Sequence, residues 1–376
     1  MAWRLAARSR RAAGEDPDAA AAAEQVDCPV VLRSLTQLNF RNLRTPTLEF
    51  PEGLVAVAGS NGAGKSNLLE ASYLGMTGEL PGRKIAQNVR IGEEQGFVGA
   101  RVEHDEGVSA IEVGLAPGRK NIRLDGQAAR LVDVARVSAA VLVTPEDADL
   151  VHGSPSGRRA YVDSLLSRIS ARYSSLARAY ARTLEQRNAA LRAGFGPGDI
   201  AVWTERLVEL GEEIDGLRRR ALGRVDPLAR EAYELIAGAE RPLTVTLQSS
   251  WEGSLGAALA AAAHEERARG TTVVGPHRSD LLIELGGHSA QAYASRGEAR
   301  TAALALRVAE FRLLAERHGE SPVLLLDDFS AELDPDRRAF LLRLVRESRQ
   351  ALVTGTEAPP EYDRLFTVKA GEVGGG

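Results

Sequence analysis

A single cysteine, Cys28, stands in 376 residues. It excludes an internal disulfide framework and a zinc site built on several cysteines, and it fits a reducing compartment such as the cytoplasm. Aromatic residues make up only 5% of the chain, too few for an extended platform of stacked bases. No apolar run approaches the roughly 18 residues that span a bilayer, so no membrane role is expected. Positive charge is not in excess either: the formal net charge is −4, and any contact with nucleic acid must rest on a local patch. His277 has no second histidine or cysteine at ligand spacing, which leaves it and Arg278 a hydrogen-bonding role near nucleotide or DNA rather than a metal. The chain shows no internal repeat and no heptad run long enough for an extended coiled coil. What remains, 44% hydrophobic and 26% charged residues, is an ordinary globular mix with room for two or three domains.

The first 29 residues stand apart. Arg4, Arg8, Arg10 and Arg11 are followed by Glu15, Asp16 and Asp18 and then the alanines 19–23. A secretory signal would place an apolar core after the arginines, and acidic residues with Pro17 occupy that place. The segment is expected to be a disordered tail.

Residues 59–66, Gly-Ser-Asn-Gly-Ala-Gly-Lys-Ser, match the P-loop pattern at every fixed position. The apolar run Leu54–Ala58 precedes them and a helix-forming stretch from Asn67 follows. Strand, glycine loop and helix make an anion cradle, in which backbone N–H groups and the positive helix end face a phosphate. The candidate nucleotide-binding residues are Ser60, Asn61, Gly62, Ala63, Gly64, Lys65, Ser66 and Asn67. Lys65 would reach the β- and γ-phosphates of ATP, and the Ser66 hydroxyl would ligate Mg²⁺. Far downstream, the buried-strand pattern Val323–Leu326 ends in Asp327-Asp328. This is the Walker B arrangement: Asp327 would hold Mg²⁺ and Asp328 would orient the attacking water.

Two further stretches resemble ABC-type ATPases. Ser330-Ala331-Glu332-Leu333-Asp334 resembles the D-loop, with Ser330 and Asp334 as its polar members. Ser295-Arg296-Gly297-Glu298, opening a long helix, is similar to the ABC signature. A serine at a helix N-terminus favours a phosphate. The resemblance implies that this one belongs to a nucleotide held by a partner subunit, so that ATP joins a two-fold dimer.

The motifs together resemble the RecF family of bacterial recombination mediators, relatives of the SMC proteins. Asn39-Phe40-Arg41-Asn42-Leu43 is similar to its opening motif. Thr144-Pro145-Glu146-Asp147, Gly153-Ser154-Pro155, Arg158-Arg159 and Asp163 are similar to its central motif. Gly275-Pro276-His277-Arg278-Ser279-Asp280 and Leu326-Asp327-Asp328-Phe329 complete the likeness, which runs over about 32–356. It implies an ATP-dependent, DNA-binding homodimer of recombinational repair and replication-fork maintenance, with weak DNA-dependent ATPase activity. It implies work with RecR and RecO in loading RecA at gaps where single-stranded DNA meets duplex. It also adds Arg41 and Asn42 to the nucleotide site. Three positions depart from the wider ABC pattern. Asp328 stands where many have glutamate, so slow hydrolysis is expected. No histidine follows strand 351–354, so a threonine hydroxyl near Gly355-Thr356 is the expected γ-phosphate switch. Thr144–Glu146 is the expected Q-loop equivalent.

Between Val151 and Gly194 lie eight arginines against only Asp163 and Glu185. Arg158, Arg159, Arg168, Arg172, Arg178 and Arg182 are candidates for DNA-backbone contact through counterion release. The alternative is a solvated helix face paired to acids around Glu205–Glu213, and for Arg158 and Arg159 a structural role near the ATPase hinge stands equally. The expected architecture is α/β: an ABC-type P-loop ATPase head in two halves, 30–145 and 271–376, split by a mostly helical lobe at 146–270. An ABC transporter subunit and an ATP-binding scaffold without hydrolysis are the rival readings.

Overall fold

The computed structural model describes residues 30–80, 85–238, 240–328 and 335–375. Segment 1–29, with Cys28, and the D-loop residues Ser330 and Asp334 lie outside them.

Two six-stranded sheets build the head. The first is antiparallel and includes β1 (Val31–Leu38), β2 (Thr47–Glu49), β4 (Gly96–His104), β5 (Gly107–Ala116), β6 (Arg119–Leu124) and β7 (Gln127–Ala128). β4 to β7 run as the meander that the glycine and Asp-Gly turns predict. In β4 buried residues alternate with more open ones, as one solvated face requires. The second sheet has the order β15-β14-β3-β13-β12-β8. Its members are β3 (Gly53–Ala58), β8 (Ala140–Val143), β12 (Val323–Leu326), β13 (Gln350–Gly355), β14 (Arg364–Lys369) and β15 (Glu372–Gly375). All its pairings are parallel except β14 with β15. β12 is buried at all four positions, as a central parallel strand covered on both faces must be.

Helix α1 (Lys65–Thr77) lies between these sheets and is buried along most of its length, from Leu68 to Thr77. Buried polar groups on such a helix need partners: Ser72 Oγ donates to the Leu68 carbonyl at 3.0 Å, Thr77 Oγ1 to the Tyr73 carbonyl at 2.7 Å, and Glu70 pairs with Arg41. Gln350 on β13 stitches the sheets together, accepting from the Leu32 N–H at 2.8 Å and donating to the Leu32 carbonyl at 2.9 Å.

The chain leaves the parallel sheet after β8 and enters the lobe. Helices α2 (Pro155–Ile169), α3 (Ala171–Arg192), the 41-residue α4 (Pro197–Ala237) and α5 (Leu255–Arg269) form it. The break between α3 and α4 falls on the glycine-rich stretch 194–198, as expected. A small sheet, β9 (Leu243–Gln248), β10 (Asp280–Leu285) and β11 (His288–Ser289), completes the lobe. β10 and β11 lie beyond residue 270 and pair back onto it. The return to the head is α6 (Arg296–His318), whose buried alanines 299, 302, 303, 305 and 309 allow close approach to α4. Helix α7 (Pro335–Glu347) connects β12 to β13.

The helix α6 carries a buried chain of charge. Asp147 accepts from Arg307 Nη2 at 2.6 Å, Arg307 Nη1 reaches Glu310 at 2.8 Å, and Glu310 pairs with Arg168. Arg168 also donates to the Ala140 carbonyl of β8 at 3.1 Å. Burial alone would raise the Glu310 carboxyl, but Arg168 and Arg307 outweigh it and hold the group below its usual range. Breaking such a cluster strands unpaired charge, which costs about 3–5 kcal/mol. Glu310→Gln should therefore lower stability by about 3 kcal/mol in thermal or urea unfolding. Glu209→Gln, at the exposed Arg206–Glu209 pair, should cost less than about 1 kcal/mol. Equal small losses in the two variants would show that the buried cluster contributes no more than a surface pair.

Candidate phosphate-binding site

β3 delivers the glycine loop to the carboxyl end of the parallel strands, and α1 begins at Lys65. Gly64 has φ +115, and a Cβ there would sit 2.7 Å from Asn42 Oδ1. Only glycine fits that turn. Lys65 Nζ donates to the carbonyls of Gly59 at 2.7 Å and Ser60 at 3.0 Å, which holds the ammonium over the mouth of the loop. Ser60, Asn61 and Gly62 are exposed, and Ala63 and Gly64 are buried. The exposed tip can therefore be reached by a phosphate while the base of the loop is fixed.

That base is anchored by the opening motif. Arg41 Nη1 donates to Asn67 Oδ1 at 2.8 Å and Arg41 Nη2 to Asn88 Oδ1 at 2.9 Å. Arg41 also pairs with Glu70 on α1. Asn67 Nδ2 donates to Asn42 Oδ1 at 2.7 Å, and Asn42 Nδ2 to the Ala63 carbonyl at 3.3 Å. Gly371, in the β14–β15 turn, donates its N–H to the same carbonyl at 2.8 Å. A Cβ on Gly371 would lie 1.8 Å from the Asn42 carbonyl oxygen. No sequence pattern marked Gly371; its signal is the positive φ of 84° in a tight hairpin.

The Walker B acids meet the loop from β12. Asp327 Oδ1 accepts from the Ser66 hydroxyl at 3.0 Å and from the Thr354 hydroxyl at 2.6 Å. The Thr354 oxygen in turn accepts the Asp328 N–H at 2.8 Å. Asp328 sits at φ 52, a left-handed conformation that costs a non-glycine residue about 1–3 kcal/mol. The bond to Thr354 helps hold it there. Of the two threonines around Gly355, Thr354 is buried and contacts the Walker B acids, whereas Thr356 is exposed. Ser66 and Asp327 offer two oxygens side by side, a donor set that suits Mg²⁺. Among the described residues no cluster of three or more His, Cys, Asp or Glu could hold a metal by itself. A cation here would complete its shell with phosphate oxygens and water.

Ser295 caps α6: its side chain accepts from the Glu298 N–H at 3.2 Å, while Glu298 Oε2 accepts the Ser295 N–H at 2.8 Å. That bond and Arg241 alongside hold the Glu298 carboxyl below its usual range. Arg337 of α7 donates to the Gly297 carbonyl at 2.7 Å. Ser295 and Arg296 are exposed. The 144–147 segment is a short turn capped by Thr144, whose N–H donates to Asp147 at 2.9 Å. A cavity of about 80 Å³ separates this turn from α6 and the end of β12, with Asp147, Arg300, Leu304 and Asp328 in its wall.

The candidate DNA face needs correction. Arg158 is buried and donates to both Asp280 oxygens, at 2.8 and 2.7 Å. Arg168 is buried against Glu310. Neither can reach a nucleic-acid phosphate, because moving it would leave a carboxylate buried without its partner. Arg172 is exposed but paired with Glu213 of α4, the acidic partner that the alternative reading named. Arg178 and Arg182 are exposed and make no ion pair among the described residues. His277 is fixed inside the lobe between the Tyr180 hydroxyl, 2.7 Å from Nδ1, and the Thr272 carbonyl, 3.1 Å from Nε2. Burial pushes its pKa down to about 4, so it is a neutral packing element.

A family model described as the RecF/RecN/SMC N-terminal domain matches residues 31–360. The DNA replication and repair protein RecF of Deinococcus radiodurans is 51% identical over 343 residues, 91% of this chain and 95% of the relative. That of Deinococcus deserti is 52% identical over 341 residues, 90% and 94% of the two chains. Among solved structures, the recombination mediator protein RecF with ATP, in the RecFOR pathway, superposes with a TM-score of 0.86 at 30% identity, covering 94% of this chain and all of that one. An Smc head domain from Pyrococcus furiosus superposes with a TM-score of 0.51 at 16% identity, over 92% of this chain and 96% of that one, a likeness of fold.

The Thr354 hydroxyl is the testable hinge of the site. Thr354→Val should lower ATP turnover roughly tenfold, the loss of a hydrogen bond to a charged group. Thr354→Ser should restore it. Steady-state phosphate release beside equilibrium nucleotide binding would separate the two effects, and unchanged turnover in the valine variant would exclude the bridging role.

Proposed function

Because the chain belongs to the RecF family of DNA replication and repair proteins, we propose that it is an ATP-driven homodimer that clamps DNA where a single strand meets duplex and helps load RecA there. ATP would sit on residues 60–67, with Arg41 and Asn42 holding the loop in shape. Ser66 and Asp327 would hold Mg²⁺, and the bound ion would neutralise charge on the β- and γ-phosphates. Asp328 would orient the attacking water as a general base. Lys65 would stabilise the charge that builds on the transferred phosphoryl group.

The observation that carries the dimer is the exposed, serine-capped start of α6. Ser295 and Arg296 face solvent, so the signature residues Ser295, Arg296, Gly297 and Glu298 can meet a nucleotide bound by a second copy. The D-loop residues Ser330 and Asp334 would line the same junction. RecR and RecO are the proposed protein partners, and the name of the RecFOR-pathway neighbour supports them. Contact with DNA would run along the backbone without sequence readout. No helix among the described residues is long and apolar enough to cross a membrane. The location proposed is cytoplasmic, and the family motifs at the start of the lobe, Thr144–Asp147 and Arg158-Arg159, speak against a transporter subunit.

One observation favours a second reading, a nucleotide-bound scaffold without productive hydrolysis. Asp328 is a short acid whose backbone is held by Thr354, which limits how far its carboxylate can reach toward water. Two variants decide. Lys65→Met should weaken ATP binding at least tenfold, through loss of a charge-assisted contact. Asp328→Asn should bind ATP and stay dimeric after the wild-type dimer has fallen apart. Sedimentation velocity with ADP and ATP, on and off a gapped duplex, reads both. A monomeric Asp328→Asn at saturating ATP would sink the dimer mechanism, and wild-type turnover that vanishes in both variants would exclude the scaffold.

A further inference from the structure

Four arginines converge where α2 meets the 275–280 turn, and their charges are not evenly compensated. Arg158 is spent on Asp280. Arg218 of α4 is spent on Asp163, at 2.9 Å from both oxygens, and on the Pro276 carbonyl at 2.7 Å. The two local carboxylates thus each belong to a buried guanidinium. Arg159 and Arg278 make no ion pair among the described residues. Arg159 Nη1 donates to the Ser279 carbonyl at 2.7 Å, which fixes the side chain on the turn. Arg278 lies one residue from Ser279, and its side chain is exposed. Arg159 is partly exposed.

The electrostatics agree with the geometry. Burial, then Arg218, with Arg278 adding to it, push the Arg159 guanidinium below its ordinary pKa, against the pull of Asp280 and Asp163. Arg278 Nη2 also lies 3.5 Å from the Thr272 carbonyl. The two guanidiniums stand on the turn and on α2 against it, neither is matched by an acid among the described residues, and a tetrahedral oxyanion is a ligand whose geometry suits their planar forks. The support is rigid. The Arg158–Asp280 and Arg218–Asp163 pairs, the Arg278 N–H to Gly275 carbonyl bond at 2.8 Å and the Tyr180–His277 contact at 2.7 Å all fix the turn.

We propose that Arg159 and Arg278 form a seat for one phosphodiester group of a nucleic-acid backbone on the lobe, separate from the phosphate cradle at the P-loop. The proposal rests on the DNA-binding reading and locates one contact of it. It also assigns a purpose to the Gly-Pro-His-Arg-Ser-Asp stretch: His277 and Asp280 build the turn, and Arg278 presents it.

The test is DNA binding to the full chain with ATP, followed by fluorescence anisotropy on a labelled duplex across a salt series. Each phosphate contact contributes about one unit to the slope of log affinity against log salt. Because the seat holds one phosphate, Arg278→Gln should flatten that slope by about 1, and Arg159→Gln/Arg278→Gln should lower affinity further without flattening the slope by more than about 1. Affinity should fall correspondingly on every duplex sequence, and Arg278→Lys should recover much of the slope. ATP-driven dimerisation checks that each variant is folded, and the exposed Arg278→Gln serves alone if the double variant is not. Wild-type binding with an unchanged slope in Arg278→Gln would overturn the seat and leave DNA binding standing. A wild-type protein that binds no duplex would overturn both. Replacing chloride by inorganic phosphate at equal ionic strength separates the polymer from the free anion. Equal DNA affinity in the two buffers assigns the seat to the backbone. A loss in wild type that Arg278→Gln does not show assigns it to free phosphate and overturns the proposal.

Discussion

Everything at the nucleotide site depends on one carboxylate oxygen. Asp327 Oδ1 accepts a hydroxyl from Ser66 at the start of α1 and a second from Thr354 on β13. Three segments that are far apart in the chain therefore converge on a single atom. The parallel register makes this possible: β12 pairs with β13 so that Leu326 sits beside Val353, which puts Asp327 beside Thr354. β3 pairs with β13 on its other side, which puts the loop that follows Ala58 next to Gly355. A shift of one residue in any of these pairings would turn every side chain to the opposite face. The buried Val-Leu-Leu-Leu of β12 resists that shift, because both of its faces are filled.

A second set of interactions ties the site to the lobe. Asp147 ends the turn after β8, and Arg307 and Glu310 lie on α6, whose first residues are the signature. Arg168 closes the chain from α2 back to the β8 carbonyl of Ala140. Charged groups this deep are tolerated only when each has a partner, so the cluster behaves as a fixed joint. The turn, the signature helix and the lobe helix are then linked by charge pairs with few alternative arrangements. The cavity lined by Arg300 and Leu304 lies beside this joint and reaches Asp328, so the end of β12 and the first turns of α6 share one wall.

The P-loop, the Walker B acids and the signature cap were legible in the sequence because each is a local pattern. A strand, a glycine turn and a helix start need only neighbouring residues to reveal them. Three central strands of the parallel sheet, β3, β12 and β13, were legible for the same reason, from short apolar runs ending in acids or glycine, whereas β8, β14 and β15 were not. What was not legible depends on partners distant in sequence. Thr354 looks like a strand residue until Asp327 lies beneath it. Gly371 looks like a turn residue until Asn42 leaves no space for a side chain. β10 and β11 carry no sign that they pair with β9 rather than with the head.

The arginines show the same limit most clearly. Eight of them between Val151 and Gly194 were countable, but a count of charges does not say which ones face water. Arg158, Arg168 and Arg187 are buried against Asp280, Glu310 and Glu266, acids that lie 79 to 142 residues away in the chain. A long cationic side chain is buried only when an acid is brought to it, since an unpaired ion inside costs several kcal/mol. The local excess of arginine over acid in the sequence is therefore not an excess at the surface: three of the eight serve the fold, and Arg172 is neutralised by Glu213. Of the eight, the cations still able to meet a phosphate are those left without an acid among the described residues, and they lie on α2 and α3, with Arg278 of the 275–280 turn beside them. An electrostatic footprint for nucleic acid has to be drawn from that remainder, not from the composition of the segment.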